Sequence, residues 1–142
     1  MASLIFTSFL EDLARGAIDL DGDTFKVLLT TSAFAENKNT QLKRSDVTGE
    51  VAAGAGYTAG GAAATVTVTK DTANSRIDIS LGGAVWTAPA GQTLTARKAV
   101  YYKARGGAAT ADELVAVVDF TTDQIASGGT LTLSASTLRL TN

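Results

Sequence analysis

Two periodicities divide this chain. Near the N-terminus Phe6, Phe9, Leu10 and Leu13 fall at i, i+3, i+4 and i+7, one apolar stripe of a helix. Ser8-x-x-Glu11 has the spacing of a capping box, Ser3 is an alternative cap, and Gly16 suits the stop. A helix this short is marginal on its own in water. It must pack on its own sheet or on a neighbouring subunit.

From Thr24 onward the period changes to two. "TFKVLLTT" (24–31), "ATVTVTK" (64–70), "RIDISL" (76–81), "RKAVYYKAR" (97–105), "ELVAVVDF" (113–120) and "TLTLSASTLRLT" (130–141) predict strands, rich in Val, Thr, Ile, Tyr and Phe. "AVWTA" (84–88), stopped by Pro89, is a further candidate. "DLDGD", "DTANS", "PAGQ", "RGG" and "SGG" supply the turns between them. The pattern predicts a mainly β fold: an antiparallel β-sandwich or jelly-roll-like barrel with one short N-terminal helix. In the last segment Leu131, Leu133 and Ala135 share one parity while Leu138 and Leu140 have the other, which predicts a bulge or kink near Ser136-Thr137. Residues 32–50 are polar and aperiodic, a long loop of the functional or mobile kind.

Length and composition narrow this picture. At 142 residues, 45% hydrophobic and 18% charged, the chain should fold around one sizeable core. Residues 1–142 read as a single domain, with an N-terminal helix or arm and acidic turn (1–23) and a β-sandwich (24–142). The net charge of −2, without a Lys/Arg run, predicts neither a nucleic-acid nor a membrane-surface partner. Lys43-Arg44, the densest basic pair, reads as part of a solvated loop. His and Cys are both absent, removing the usual neutral-pH base, the thiol nucleophile and most zinc, haem and iron–sulfur ligands. No cofactor is expected. The N-terminus lacks a basic n-region and does not read as a signal peptide.

Candidate chemistry is sparse. Gly54-x-Gly56-x-x-Ala59, with Asp78 about 20 residues on, matches a dinucleotide-binding spacing. That fingerprint needs a buried strand before it and a helix after it. Here "ATVTVTK" follows, another strand, so Gly54, Gly56, Gly60 and Gly61 read as backbone hinges around Tyr57. Asp19, Asp21 and Asp23 resemble half of a calcium loop, but Thr30 stands where the bidentate Glu belongs, and an Asx-type turn is the alternative. Glu50, Asp78, Glu113 and Asp119 are not grouped by any motif, and Lys98 and Lys103 read as strand-face residues. No enzyme is expected. Trp86, Tyr57, Tyr101 and Tyr102 offer either a sugar-stacking surface or core and interface. Adjacent strand residues face opposite ways, so Trp86 and one of the paired tyrosines are expected inside.

"TFKVLLTTSAF", "DVTGEVAAGAGYTAGG", "AVWTA", "ARKAVYYKA" and "ELVAVVDF", in that order, resemble a group of small virion structural proteins of tailed bacteriophages. The resemblance spans roughly residues 24–130. It implies a capsid decoration (cement) protein on the outer face of the shell. Its partners would be the major capsid protein and copies of itself, as a homodimer or homotrimer. Its location would be the virion surface, and the host cytoplasm during assembly. A tail or fibre-associated, host-binding part is the alternative role. Leu4, Ile5, Phe6, Phe9 and Leu10 are then candidate partner contacts, with Tyr57 and Trp86. At ~25 cal/mol per Å2 of buried apolar surface, a few such side chains would contribute several kcal/mol to association. The competing expectation is that the helix caps the end of its own sandwich.

Overall fold

The computed structural model describes residues 2–141. In chain order its elements are β1 (Ala2–Ile5), α1 (Thr7–Ala14), β2 (Phe25–Thr30), a 3-10 turn at Arg44–Asp46, β3 (Ala62–Ala64) and β4 (Val66–Asp71). There follow β5 (Arg76–Leu81), β6 (Ala84–Thr87), β7 (Thr93–Lys103), β8 (Leu114–Ser127), β9 (Thr130–Leu133) and β10 (Ser136–Thr141). A five-stranded sheet has the order β1-β8-β7-β2-β3, a three-stranded one β10-β5-β4, and β6 pairs with β9. Every pairing is antiparallel. The mainly β, antiparallel expectation is met, but among the described residues no sheet closes on itself into a barrel. Closing the large sheet would require β1 to meet β3, and these are only four and three residues long.

The large sheet is covered on both faces. Its central strands therefore carry unbroken apolar runs, "VLL" in β2 and "LVAVV" in β8, all buried. Tyr101 and Tyr102 on β7 show the two sides. Tyr101 Oη donates to Gly82 O (3.0 Å) beside the small sheets, while Tyr102 Oη donates to Gly60 O (2.6 Å) in the glycine-rich crossing. Both tyrosines are buried, where one was expected. Ile79, Leu81, Trp86, Leu131, Leu133 and Leu138 of the small sheets share one core with the large sheet and with Phe9 of α1.

The helical stripe Phe6–Leu13 is met by α1, and a strand precedes it. Residues 2–5 form β1 against β8, Leu4 opposite Val117, and only at Phe6 does the chain turn into a helix. Phe6 is the N-cap, and no side chain caps the helix. The amide of Phe6 still donates to Val115 O, so strand pairing fixes where the helix begins and neither Ser3 nor Ser8 forms a cap. The stop is as expected: Gly16 (φ +72°) donates to Leu13 O and Ala17 to Asp12 O, a Schellman pair.

At the other end the predicted kink becomes a change of sheet. The chain breaks at Ser134-Ala135, so that Leu131 and Leu133 are buried from β9 and Leu138 from β10. Strand 64–70 likewise breaks at Thr65, with Ala62–Ala64 in the large sheet and Val66–Asp71 in the three-stranded one. Loop 32–50 is firmly anchored. Phe34 is buried, Leu42 O accepts from Leu114 N, and the Thr31 amide donates to Gly49 O.

One strained point lies in β8. Its register with β7 shifts between Ala96↔Gln124 and Lys98↔Asp119, so residues 120–123 oppose the single Arg97. Thr121 sits in this bulge at φ +67°, exposed, its amide on Asp119 Oδ1 (2.7 Å). A β-branched residue is poorly suited to that conformation. Thr121→Asn is expected to stabilise the protein by about 0.5–1 kcal/mol, because Asn tolerates left-handed backbone. A higher urea midpoint with unchanged slope would show it; an unchanged midpoint would mean Thr121 stores no strain.

Candidate functional site

The predicted site residues scatter. Phe6, Phe9, Tyr57 and Trp86 are buried inside the chain, Leu4 and Ile5 are half-buried, and Leu10 alone is exposed, at 46%. As placed, the first four present no surface to a partner. Tyr57 and Trp86 instead pack on each other, centroids 6.4 Å apart.

The acidic turn is an Asx-type turn. Asp19 Oδ1 accepts from the Asp21 amide (3.0 Å), and Asp23 Oδ2 accepts from the Asp19 amide (2.7 Å). Asp23 also pairs with Lys103 Nζ at 2.6 Å. Burial raises its pKa, but the Lys103 bond and the Asp19 amide outweigh this and hold it below its ordinary value. Among the described residues no group of three Asp, Glu, His or Cys side chains could hold a metal ion.

The glycine-rich crossing is a backbone device. All four glycines have positive φ, and the segment runs into β3, not into a helix. Gly54 and Tyr57 exchange both backbone hydrogen bonds around Ala55-Gly56, a two-residue turn with the φ signs of type I′. This turn aims Tyr57 inward. Its hydroxyl accepts from the Leu29 amide (3.1 Å) and donates to Glu50 Oε1 (2.8 Å), which also accepts from the Gly60 amide (2.6 Å). Leu29 lies beyond the reach of β3, whose pairing with β2 stops at Val27, so the tyrosine satisfies an otherwise orphaned strand donor. Tyr57→Phe is expected to cost about 1–3 kcal/mol by stranding that donor. Chemical denaturation measures it, and a loss below about 0.5 kcal/mol would show that the bond contributes little.

Charges that looked solvated are tied together. Glu113 accepts from Arg105 Nη2 (2.8 Å) and Lys43 Nζ (3.1 Å). Asp112 accepts from Arg44 Nε (2.8 Å) and the Arg105 amide (2.8 Å). Lys43-Arg44 is therefore a pair of clamps from loop 32–50 onto the start of β8, not a free basic patch. Burial raises the Glu113 carboxyl, yet the Arg105 and Lys43 bonds prevail and set it at about 2. Lys98 and Lys103 are buried too: Lys98 Nζ donates to Phe34 O (2.7 Å) and Glu36, and Lys103 Nζ to Ala17 O (2.7 Å). No sequence motif marked these pairs: apart from Arg105, close in sequence to Asp112 and Glu113, the partners lie about 60 to 90 residues apart.

Two surface features stand out. Where the glycine crossing meets the clamps, Lys26, Arg44, Gly60, Tyr102, Gly106 and Asp112 line a cleft of about 240 Å3. On the three-stranded sheet, Ile77, Ile79, Leu81, Val68, Leu138 and Leu140 share one face by register. Ile79, Leu81 and Leu138 are buried, but Val68, Ile77 and Leu140 emerge 40%, 39% and 39% exposed. The opposite face is ion-paired, Arg76 and Arg139 both reaching Asp78.

No protein-family model, curated protein or solved structure matches this chain.

Four of the sequence-predicted carboxylates are engaged: Asp78 and Asp119 by arginines, Glu113 by Arg105 and Lys43, and Glu50 by the Tyr57 hydroxyl and the Gly60 amide. Such groups hold segments together. No described helix is long and apolar enough to cross a membrane.

Proposed function

We propose that the protein is a non-enzymatic virion structural component of a tailed bacteriophage, a capsid decoration protein. In this reading it binds the outer face of the major capsid protein shell as a homodimer or homotrimer and stabilises it. Its location would be the virion surface, and the host cytoplasm during assembly. The observation that carries the reading is the sheet face that outruns its core: Val68, Ile77 and Leu140, one from each strand of the three-stranded sheet, are exposed on the same face. Exposed apolar patches on a folded surface mark interaction sites, and an adhesive protein needs one. The segment resemblance to small phage structural proteins supports the same role. The finer fold reading, a jelly-roll-like sandwich, goes with it. It is supported by a chain that leaves the large sheet after β3, returns for β7 and β8, and leaves again.

Image reconstruction of the parent particle tests the location. Density on the shell is expected; density on the tail alone would replace the cement role with the tail or fibre one. The anchor is tested by Val68→Ser, Ile77→Ser and Leu140→Ser together, which should keep the fold and weaken shell binding. Unchanged binding would remove this face from the interface. Deleting residues 2–10 cannot serve here, because Phe6 and Phe9 belong to the core.

A further inference from the structure

Independently of that role, we propose that the cleft over Gly60 is a binding site for a single carboxylate group. Lys26 on β2 and Tyr102 on β7 are direct cross-strand partners, so their side chains rise from the same face of the large sheet. Gly60 crosses above them with no side chain of its own. The point where its Cβ would stand lies 3.4 Å from Tyr102 Oη and 3.8 Å from both Arg44 Nη1 and Lys26 Nζ. Three polar groups thus converge on one small space that only glycine leaves open.

The cations there are unequal. Arg44 is fixed, its Nε on Asp112 and its guanidinium 5.2 Å from the centre of the Tyr102 ring, which leaves the Nη edge to face the cleft. Lys26 has no hydrogen-bond or ion-pair partner among the described residues. A planar guanidinium edge beside a free ammonium suits a carboxylate, which can accept from both. Gly106 and Gly107 form the rim, and no backbone bond among the described residues uses their amides.

The surrounding negative charge selects a monoanion. Both oxygens of Asp112 are engaged, by Arg44 and the Arg105 amide, and Glu50 lies on the far side of the Gly60 peptide, bonded to its amide. Against Lys26 and Arg44 these leave little excess positive charge, so a dianionic phosphate would meet more repulsion than a carboxylate. Tyr102 Oη donates to Gly60 O and serves as the floor of the cleft.

The test is a titration of the 15N-labelled full chain with sodium acetate, ionic strength held with sodium chloride, followed by amide shifts. Saturable shifts at Gly60, Gly106 and Gly107 are expected. Lys26→Gln should weaken binding about tenfold, the effect of losing one charge-assisted contact. Lys38→Gln, at an exposed lysine elsewhere, should leave it unchanged. Well-dispersed spectra of each variant would show that the fold is kept. Shifts that never saturate, that chloride reproduces, or that survive Lys26→Gln would overturn the site. Tighter binding of sodium phosphate than of acetate would overturn the carboxylate assignment.

Discussion

Gly61→Ala is expected to lower stability by more than about 3 kcal/mol, enough to leave a marginal domain largely unfolded on warming. Gly61 sits at φ +74°, and a Cβ added there would stand 1.9 Å from Val27 O and 2.6 Å from Leu28 Cα. Those atoms belong to β2, held on its other side by β7, so they cannot retreat without opening the large sheet. The steric clash and the left-handed backbone act together. Gly107→Ala provides the contrast. Nothing lies within 4 Å of a Cβ there, and a change within about ±0.5 kcal/mol is expected. Thermal and urea unfolding of the pair decide the matter. If both variants were equally stable, the crossing would not be pressed against β2.

The second large effect is acid lability centred on Glu113. Its carboxyl titrates at 4.5 ordinarily and at about 2 in the folded chain. A depressed folded value means that the native state holds the carboxylate more firmly than the unfolded chain does. The stabilisation is complete above 4.5 and is lost as pH falls from there through about 2. With the side chain only 5% exposed, the shift corresponds to roughly 3 kcal/mol. Asp23, Asp46 and Asp119 are shifted the same way, while burial raises Asp12 and sets it slightly against them. Glu113→Gln should lose about 2–3 kcal/mol near pH 7 and nearly nothing near pH 2, since Arg105 and Lys43 can turn to solvent when released. Unfolding free energies of both proteins across that range would show two curves converging in acid. Parallel curves would mean that Glu113 is not the titrating group.

These two residues mark how far the sequence could be read. The strand core was legible because "TFKVLLTT", "RIDISL" and "ELVAVVDF" carry β-branched residues between turn signals, and they form β2, β5 and the first half of β8. The second half of β8, "TTDQIAS", was not. Only Ala126 is buried there, so no alternation survives in a strand whose side chains mostly face water. β1 was left as helix or arm because "ASLI" is too short to distinguish a period of two from one of 3.6. The glycine crossing was legible as a hinge, but not its contact with β2, which depends on a fold-level approach. The buried charges were illegible for a different reason. Lys98, Lys103, Asp112 and Glu113 have the composition of a solvated surface, and partners mostly distant in sequence, with Arg105 nearby, are what offset their burial.

The order of strands in the large sheet has a kinetic meaning. β2 cannot be flanked on both sides until β7 exists, β1 pairs with β8, and the neighbours across these two ladders are about 70 and 110 residues apart in the chain. Closing loops of that size must precede the contacts that reward it, so folding should be slow for a domain of this length. Until residues 116–119 are free to pair, β1 is an unpaired apolar strand, and until β7 exists β2 has only the three-residue β3 beside it, the state in which such chains aggregate. Recovery of native protein should therefore depend on how crowded its unfinished copies are, however stable the finished molecule proves to be.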